Sequence, residues 1–265
     1  MSGVLRSEVR KISTTRLWWI MLLCVFLLGG GYALVPAFSA NLAQSTVGDP
    51  TPAFEAPGTL RSIYNGGNTL ARILALVIGI LAMGGEYRYK TMATTYLATP
   101  KRIRVIFAKA ASLIGFGLLY GMASVLAGLL VAIPFVLIKN GSLFLGRADT
   151  WRSLILGVAS IALWTLIGMG LGILVRSMVL AMLVGIGFAY VVEPSLAALF
   201  FFKEWDLGLN LMPTGATNAM LGVTNPFLFA ARDPFTWWQG MLVLAAWCLL
   251  PAVAGVLFTV RRDVT

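Results

Sequence analysis

Histidine is missing altogether from the 265 residues, and only 11% of them are charged. With no His, no H-E-x-x-H and no cysteine pair at zinc spacing, the common zinc chemistries have nothing to stand on. A soluble domain carries roughly a quarter charged residues. This chain is instead 59% hydrophobic, the composition of an integral membrane protein. Its two cysteines, Cys24 and Cys248, sit inside apolar runs. They read as small buried side chains, with no disulfide framework implied. No G-x-x-x-x-G-K-[ST] occurs, so the chain has no P-loop to bind ATP. Intramembrane hydrolases and transferases need clustered nucleophiles, acids or metal carboxylates, and Glu193 is the one buried-looking acid. The expectation is a protein that is not an enzyme and holds no cofactor or metal of its own.

What the sequence does have is apolar runs of spanning length. Six are expected to cross a bilayer as helices: 17–38, 66–85, 110–133, 153–175, 178–202 and 237–260. The fold class is therefore all-α, a single polytopic membrane domain. Residues 1–16 hold Arg6, Arg10, Lys11 and Arg16 beside a stripe of Val4, Leu5, Val9 and Ile12. That pattern predicts an amphipathic helix lying in the inner interface. Trp18 and Trp19, and later Trp237 and Trp238, suit the interfacial belts. A secretory signal cleaved after Ala40 is the rival reading of the first run, but the run is too long for a signal core.

Thirteen of the twenty Lys and Arg fall in segments that are inner if the N-terminus is inside, six in outer segments, and Arg72 within a span. The asymmetry predicts a plasma-membrane protein with both termini cytoplasmic. In a soluble chain a net charge of +10 would suggest nucleic acid. Here the charge lies in loops, so lipid headgroups are the expected partner and nucleic acid is not.

Residues 86–104 form the densest basic stretch, with Arg88, Lys90, Lys101, Arg102 and Arg104, and Lys109 just beyond. Tyr89, Met92, Ala93, Tyr96 and Leu97 share one face of a short helix, while Arg88, Lys90, Thr91, Thr94 and Thr95 face away. Pro100 stops that helix. The element reads as a dock for a cytoplasmic partner or as a helix resting on headgroups.

Within the spans only Arg72 and Glu193 are ionisable groups near mid-depth. Arg72 lies about 20 Å from the inner end of span two and Glu193 about 22 Å from that of span five, by helix rise. At matched depth they are expected to pair or to share a hydrated cavity, the alternative being that each reaches outer water separately. Glu193-Pro194 interrupts span five. After it the chain either continues as a kinked helix or folds back. Asn65, Gly66, Gly67 and Asn68 make the outer end of span two unlike a lipid-facing helix, and Gly117-x-x-x-Gly121 and Gly168-x-x-x-Gly172 have close-packing spacing.

Taken in order, these features resemble the permease subunit of bacterial type-2 ATP-binding-cassette exporters. The resemblance runs over nearly the whole chain. It rests on the basic elbow before span one and on Gly85-Glu86, then Lys90-Thr91, then Leu97-Ala98-Thr99-Pro100-Lys101-Arg102 and the later Lys109. Lys90 departs from that family's usual Gly. The break at Glu193-Pro194, followed by short apolar pieces, is similar to the family's outer re-entrant hairpin between spans five and six. The resemblance implies two permease subunits, identical or homologous, and two cytoplasmic ATPases that carry ATP and Mg. It implies that Glu86, Arg88, Lys90, Thr91, Thr94, Thr95, Lys101 and Arg102 take part in coupling, and that Glu193 and Pro194 belong to an outer gate. The cargo it suggests is amphipathic: a drug, an antimicrobial peptide or a lipid-linked molecule. An ion-coupled carrier or a membrane scaffold working without an ATPase is the competing class.

Overall fold

The computed structural model describes residues 2–47, 57–88, 102–139, 141–175, 177–223 and 229–262. Within them every regular element is helical. Six helices are long and apolar enough to cross a membrane, making this a multi-pass helical membrane protein.

In chain order the helices are α1 (Ser2–Ser13), α2 (Leu17–Val47), α3 (Pro57–Tyr64), α4 (Asn68–Arg88), α5 (Arg102–Ile138) and α6 (Ala148–Val175). Then come α7 (Met178–Gly187), a π-helical segment (Phe188–Val192), α8 (Glu193–Phe202), α9 (Asp206–Leu211), α10 (Pro213–Leu221) and α11 (Trp237–Arg262). Several ends differ from the sequence expectation. Helix α2 runs on past Phe38 and Ala40, because the next strong breakers after Pro36 are Gly48 and Pro50. Residues 39–47, beyond the expected end of the first span, are therefore helical, and α3 adds a further helix before the expected second span. Helix α5 begins at Arg102, not 110, two residues after Pro100, and passes through Pro134. Apolarity marks where a helix enters the bilayer, and these helices extend beyond it.

Helices α4 and α6 form the centre. Small residues, not bulk apolar surface, bring them together, since lipid tails compete for any apolar face. A Cβ at Gly79 would overlap the Thr165 carbonyl oxygen, and one at Gly168 the Leu76 carbonyl oxygen. Gly117 and Gly121 seat α5 against Ala162 and Val158 of α6 in the same way. Both close-spaced glycine pairs thus lie at helix contacts. Trp164, Ile161, Leu76, Ile80, Met220 and Leu244 fill the core between them. Helix α11 closes the far side of α6, where the Cys248 thiol donates to the Leu163 carbonyl.

The turn Asn65–Gly67 between α3 and α4 is buried and pinned to α6. Asn65 donates to Ser153 Oγ at 3.0 Å, and Asn68 to the Gly157 carbonyl at 3.0 Å and to Ser160 Oγ at 3.1 Å. These bonds supply what lipid cannot offer a broken helix. Ser153 in turn donates to the Leu221 carbonyl at 2.6 Å, tying down the end of α10.

Candidate functional site

Two places concentrate polar chemistry: a cavity between α4 and the α8–α10 region, and a cluster of ion pairs at the end of the bundle where α1 lies.

The cavity begins with the irregular fifth span. Proline at 194 has no N–H to give, so an unbroken α ladder would leave a carbonyl without its donor. The chain widens instead into a π turn, in which the Glu193 N–H reaches back to the Phe188 carbonyl. Ser195 Oγ donates to the Val191 carbonyl at 2.7 Å, satisfying another group of that turn. The helix then continues to Phe202, so of the two courses open at Glu193-Pro194 the chain first takes the continuing one. It folds back only afterwards. By Thr214 the chain is back at the level of Glu193, about 14 Å by helix rise from the end of α8 at Phe202. The Thr214 N–H, in the first turn of α10, donates to Glu193 Oε1. A carboxylate there is favoured by the unpaired N–H groups and dipole of the helix start.

Glu193 is 2% exposed and Arg72 7% exposed. Both line one cavity of about 480 Å³, with Trp164, Tyr190 and Phe229 among its walls and Pro194 at its edge. Among the described residues, Arg72 and Glu193 form no ion pair with each other. Each is held elsewhere: the Arg72 guanidinium lies 5.6 Å from the centre of the Trp164 ring, and Glu193 is bound to α10. Among the described residues Glu193 Oε2 is buried with no hydrogen-bond partner. Trp164 is itself fixed, its indole N–H donating to Thr217 Oγ1 of α10 at 3.0 Å. The arrangement suits a molecule that carries charge of both signs; a lone ion of either sign would leave one buried charge unanswered and a neutral apolar guest both.

The second place was invisible in the sequence. Lys109 of α5, 4% exposed, contacts Glu8 Oε2 of α1 at 2.6 Å and Glu86 Oε1 of α4 at 2.9 Å. Lys11 of α1 closes the ring, 2.6 Å from Glu8 Oε1 and 3.0 Å from Glu86 Oε1. Two carboxylates and two ammonium groups thus join three elements in one buried clasp. Burial opposes charge on Glu8, but the attraction and hydrogen bonds of Lys109, then Lys11, outweigh it and hold its carboxyl below the ordinary value. Burial likewise opposes charge on Lys11, and the hydrogen bonds it donates to Glu8 and Glu86 overcome it, raising the ammonium above its ordinary value.

Glu86, expected on the docking loop, is instead in the last turns of α4 with its carboxylate turned inward to the clasp. Arg88 ends α4 and is exposed. Lys90, Thr91, Thr94, Thr95 and Lys101 lie outside the described residues, as does the side chain of Arg102, whose backbone opens α5. Sequence reasoning missed Glu8. The available signal was its isolation: it is the sole acid before Asp49. It also missed Trp164 and Thr214, which look like an ordinary core aromatic and an ordinary helix-start residue. Comparison with family models, with curated proteins and with solved structures gives no match.

Proposed function

We propose that this chain is the membrane-spanning permease subunit of an ATP-driven exporter, moved by a separate cytoplasmic ATPase and working as a pair of permease subunits. The clasp carries the reading. Glu8, Lys11, Glu86 and Lys109 join α1 to the two helix ends that flank residues 89–101. A load applied to that basic loop from the cytosol would therefore move α1, α4 and α5 as one body. Helix α4 runs from the clasp at Glu86 to Arg72 in the cavity, fourteen residues or about 21 Å away. The same rigid element would deliver the movement to the place where cargo could sit.

Two further features favour this class. The chain lacks a P-loop, so an energy source must come from elsewhere. A proton- or sodium-coupled carrier keeps several ionisable groups at mid-depth, and here Arg72 and Glu193 stand without further acids among the cavity residues. The resemblance to type-2 exporter permeases implies an ATPase of the ATP-binding-cassette type, present in two copies, with ATP and Mg on it. The cargo is amphipathic, the orientation has both termini in the cytosol, and coupling residues extend through 86–104.

The test is reconstitution. The chain and the P-loop ATPase that co-purifies with it are placed in liposomes together and separately. ATP hydrolysis and ATP-driven movement of a fluorescent amphiphile are expected only with both. Solute movement by the chain alone down a proton or sodium gradient overturns the proposal.

A further inference from the structure

The cavity holds two buried charges of opposite sign that do not neutralise each other by contact. The Arg72 guanidinium brings five N–H donors to the cavity wall beside the Trp164 ring and attracts Glu193 without an ion-pair contact. Glu193 spends Oε1 on Thr214 and, among the described residues, leaves Oε2 buried without a partner. A buried carboxylate oxygen without a donor is costly in a low-dielectric interior. Both are nonetheless held apart by specific contacts, Arg72 on the face of Trp164 and Glu193 on the start of α10. At about 480 Å³ the space lies within the roughly 300–1,000 Å³ typical of small-molecule sites.

The two charges specify their complement. A guanidinium takes a phosphate or carboxylate through paired N–H bonds. The free carboxylate oxygen takes an N–H donor. A neutral apolar guest would answer neither, and a simple anion or cation only one. A guest carrying both charges answers both and adds no net charge to the site. The walls of Trp164, Tyr190, Phe229 and Ala197 call for an apolar body.

We propose that this cavity binds a zwitterionic amphiphile, its anionic group on Arg72, its primary ammonium on the Glu193 carboxylate and its apolar body against Trp164, Tyr190 and Phe229. The ammonium must carry N–H groups, because the carboxylate is answered by N–H donors and a quaternary ammonium has none. The assignment rests on the export reading only where it calls the guest cargo. The binding itself rests on the cavity, so it is measured on the purified full chain with no ATPase present. Failure here leaves ATP dependence intact, and failure of ATP dependence leaves this result intact.

The experiment is titration of the chain in detergent with lysophosphatidylethanolamine, followed by tryptophan fluorescence and by native mass spectrometry. Lysophosphatidylglycerol, which has no ammonium, and lysophosphatidylcholine, which has no N–H, are the comparison ligands. The ethanolamine ligand is expected to bind about tenfold or more tighter than either. Glu193→Gln should remove that preference while leaving the glycerol ligand's affinity little changed. Arg72→Gln should weaken all three. Should loss of Arg72 impair folding, Ala197→Trp fills the cavity from its wall without touching either charge, and is expected to abolish saturable binding. Equal affinity for the three ligands, or an ethanolamine affinity unmoved by Glu193→Gln or Ala197→Trp, overturns the proposal.

Discussion

Replacing Lys109 by Met tests the clasp at its most buried point. The substitution keeps the apolar stem and removes the ammonium. Lys109 is the partner of both Glu8 and Glu86, at 2.6 and 2.9 Å, and those residues are 1% and 6% exposed. Without it two buried carboxylates share Lys11, whose side chain is 43% exposed and therefore more screened. Breaking a buried pair from one side costs about 3–5 kcal/mol. The corresponding change at Lys11 removes pairs open to water and should cost about 1 kcal/mol or less. Unfolding by SDS in mixed micelles, followed by tryptophan fluorescence, reads both values. Adding Glu8→Gln to Lys109→Met removes one stranded anion, so the double variant should be more stable than Lys109→Met alone. A Lys109→Met loss under about 1 kcal/mol, or a double variant no better than the single, would refute the reasoning that the clasp is a buried charge network.

The clasp also has a predicted pH window. Glu8 is held below its ordinary value of 4.5, so its contribution is complete above that value and is lost only as pH falls through the lower folded-state one. Lys11 is raised above 10.5, so its contribution is complete below that value and is lost as pH rises beyond it. Spin-label distances between Ser7→Cys and Gly85→Cys, in a cysteine-free background, should stay constant between those limits and lengthen below the lower one. At the central helix contact, Gly79→Ala drives a methyl into the Thr165 carbonyl, and the same unfolding assay should show a loss of about 1–3 kcal/mol. Exchanging the cavity charges, Arg72→Glu with Glu193→Arg, should not rescue either single reversal in yield of folded protein. An arginine at 193 cannot accept the Thr214 N–H, and a carboxylate at 72 would face the Trp164 ring. Rescue by the exchange would mean that the two residues pair directly.

The spans were legible because an apolar run of about twenty residues has few other uses. Their ends were not, since helix continues into polar sequence until a breaker appears, as at Gly48 beyond α2. Helix rise alone placed Arg72 and Glu193 at similar depth, and both line one cavity. What separates them was out of reach. It depends on a tryptophan ninety-two positions beyond Arg72 and on the backbone of a helix that returns after the fifth span. The clasp shows the same limit. Lys109 and Glu86 belong to one stretch of sequence, but Glu8 joins them from 101 positions before Lys109, and no local periodicity connects them. The inward turn of Glu86 follows from Lys11 and Lys109, because a carboxylate between two ammonium groups gains more than one left in water near a loop.

Neutralising the basic residues of the loop while sparing the clasp asks whether a cytoplasmic partner drives the chain through that loop. Lys90→Ala, Lys101→Ala and Arg102→Ala are combined in one chain, co-reconstituted with the ATPase, and ATP-driven export is measured beside SDS unfolding. Export should fall about tenfold or more with stability within about 0.5 kcal/mol of the unaltered protein. Full ATP-driven export by that variant would contradict the claim that the chain is driven through this loop.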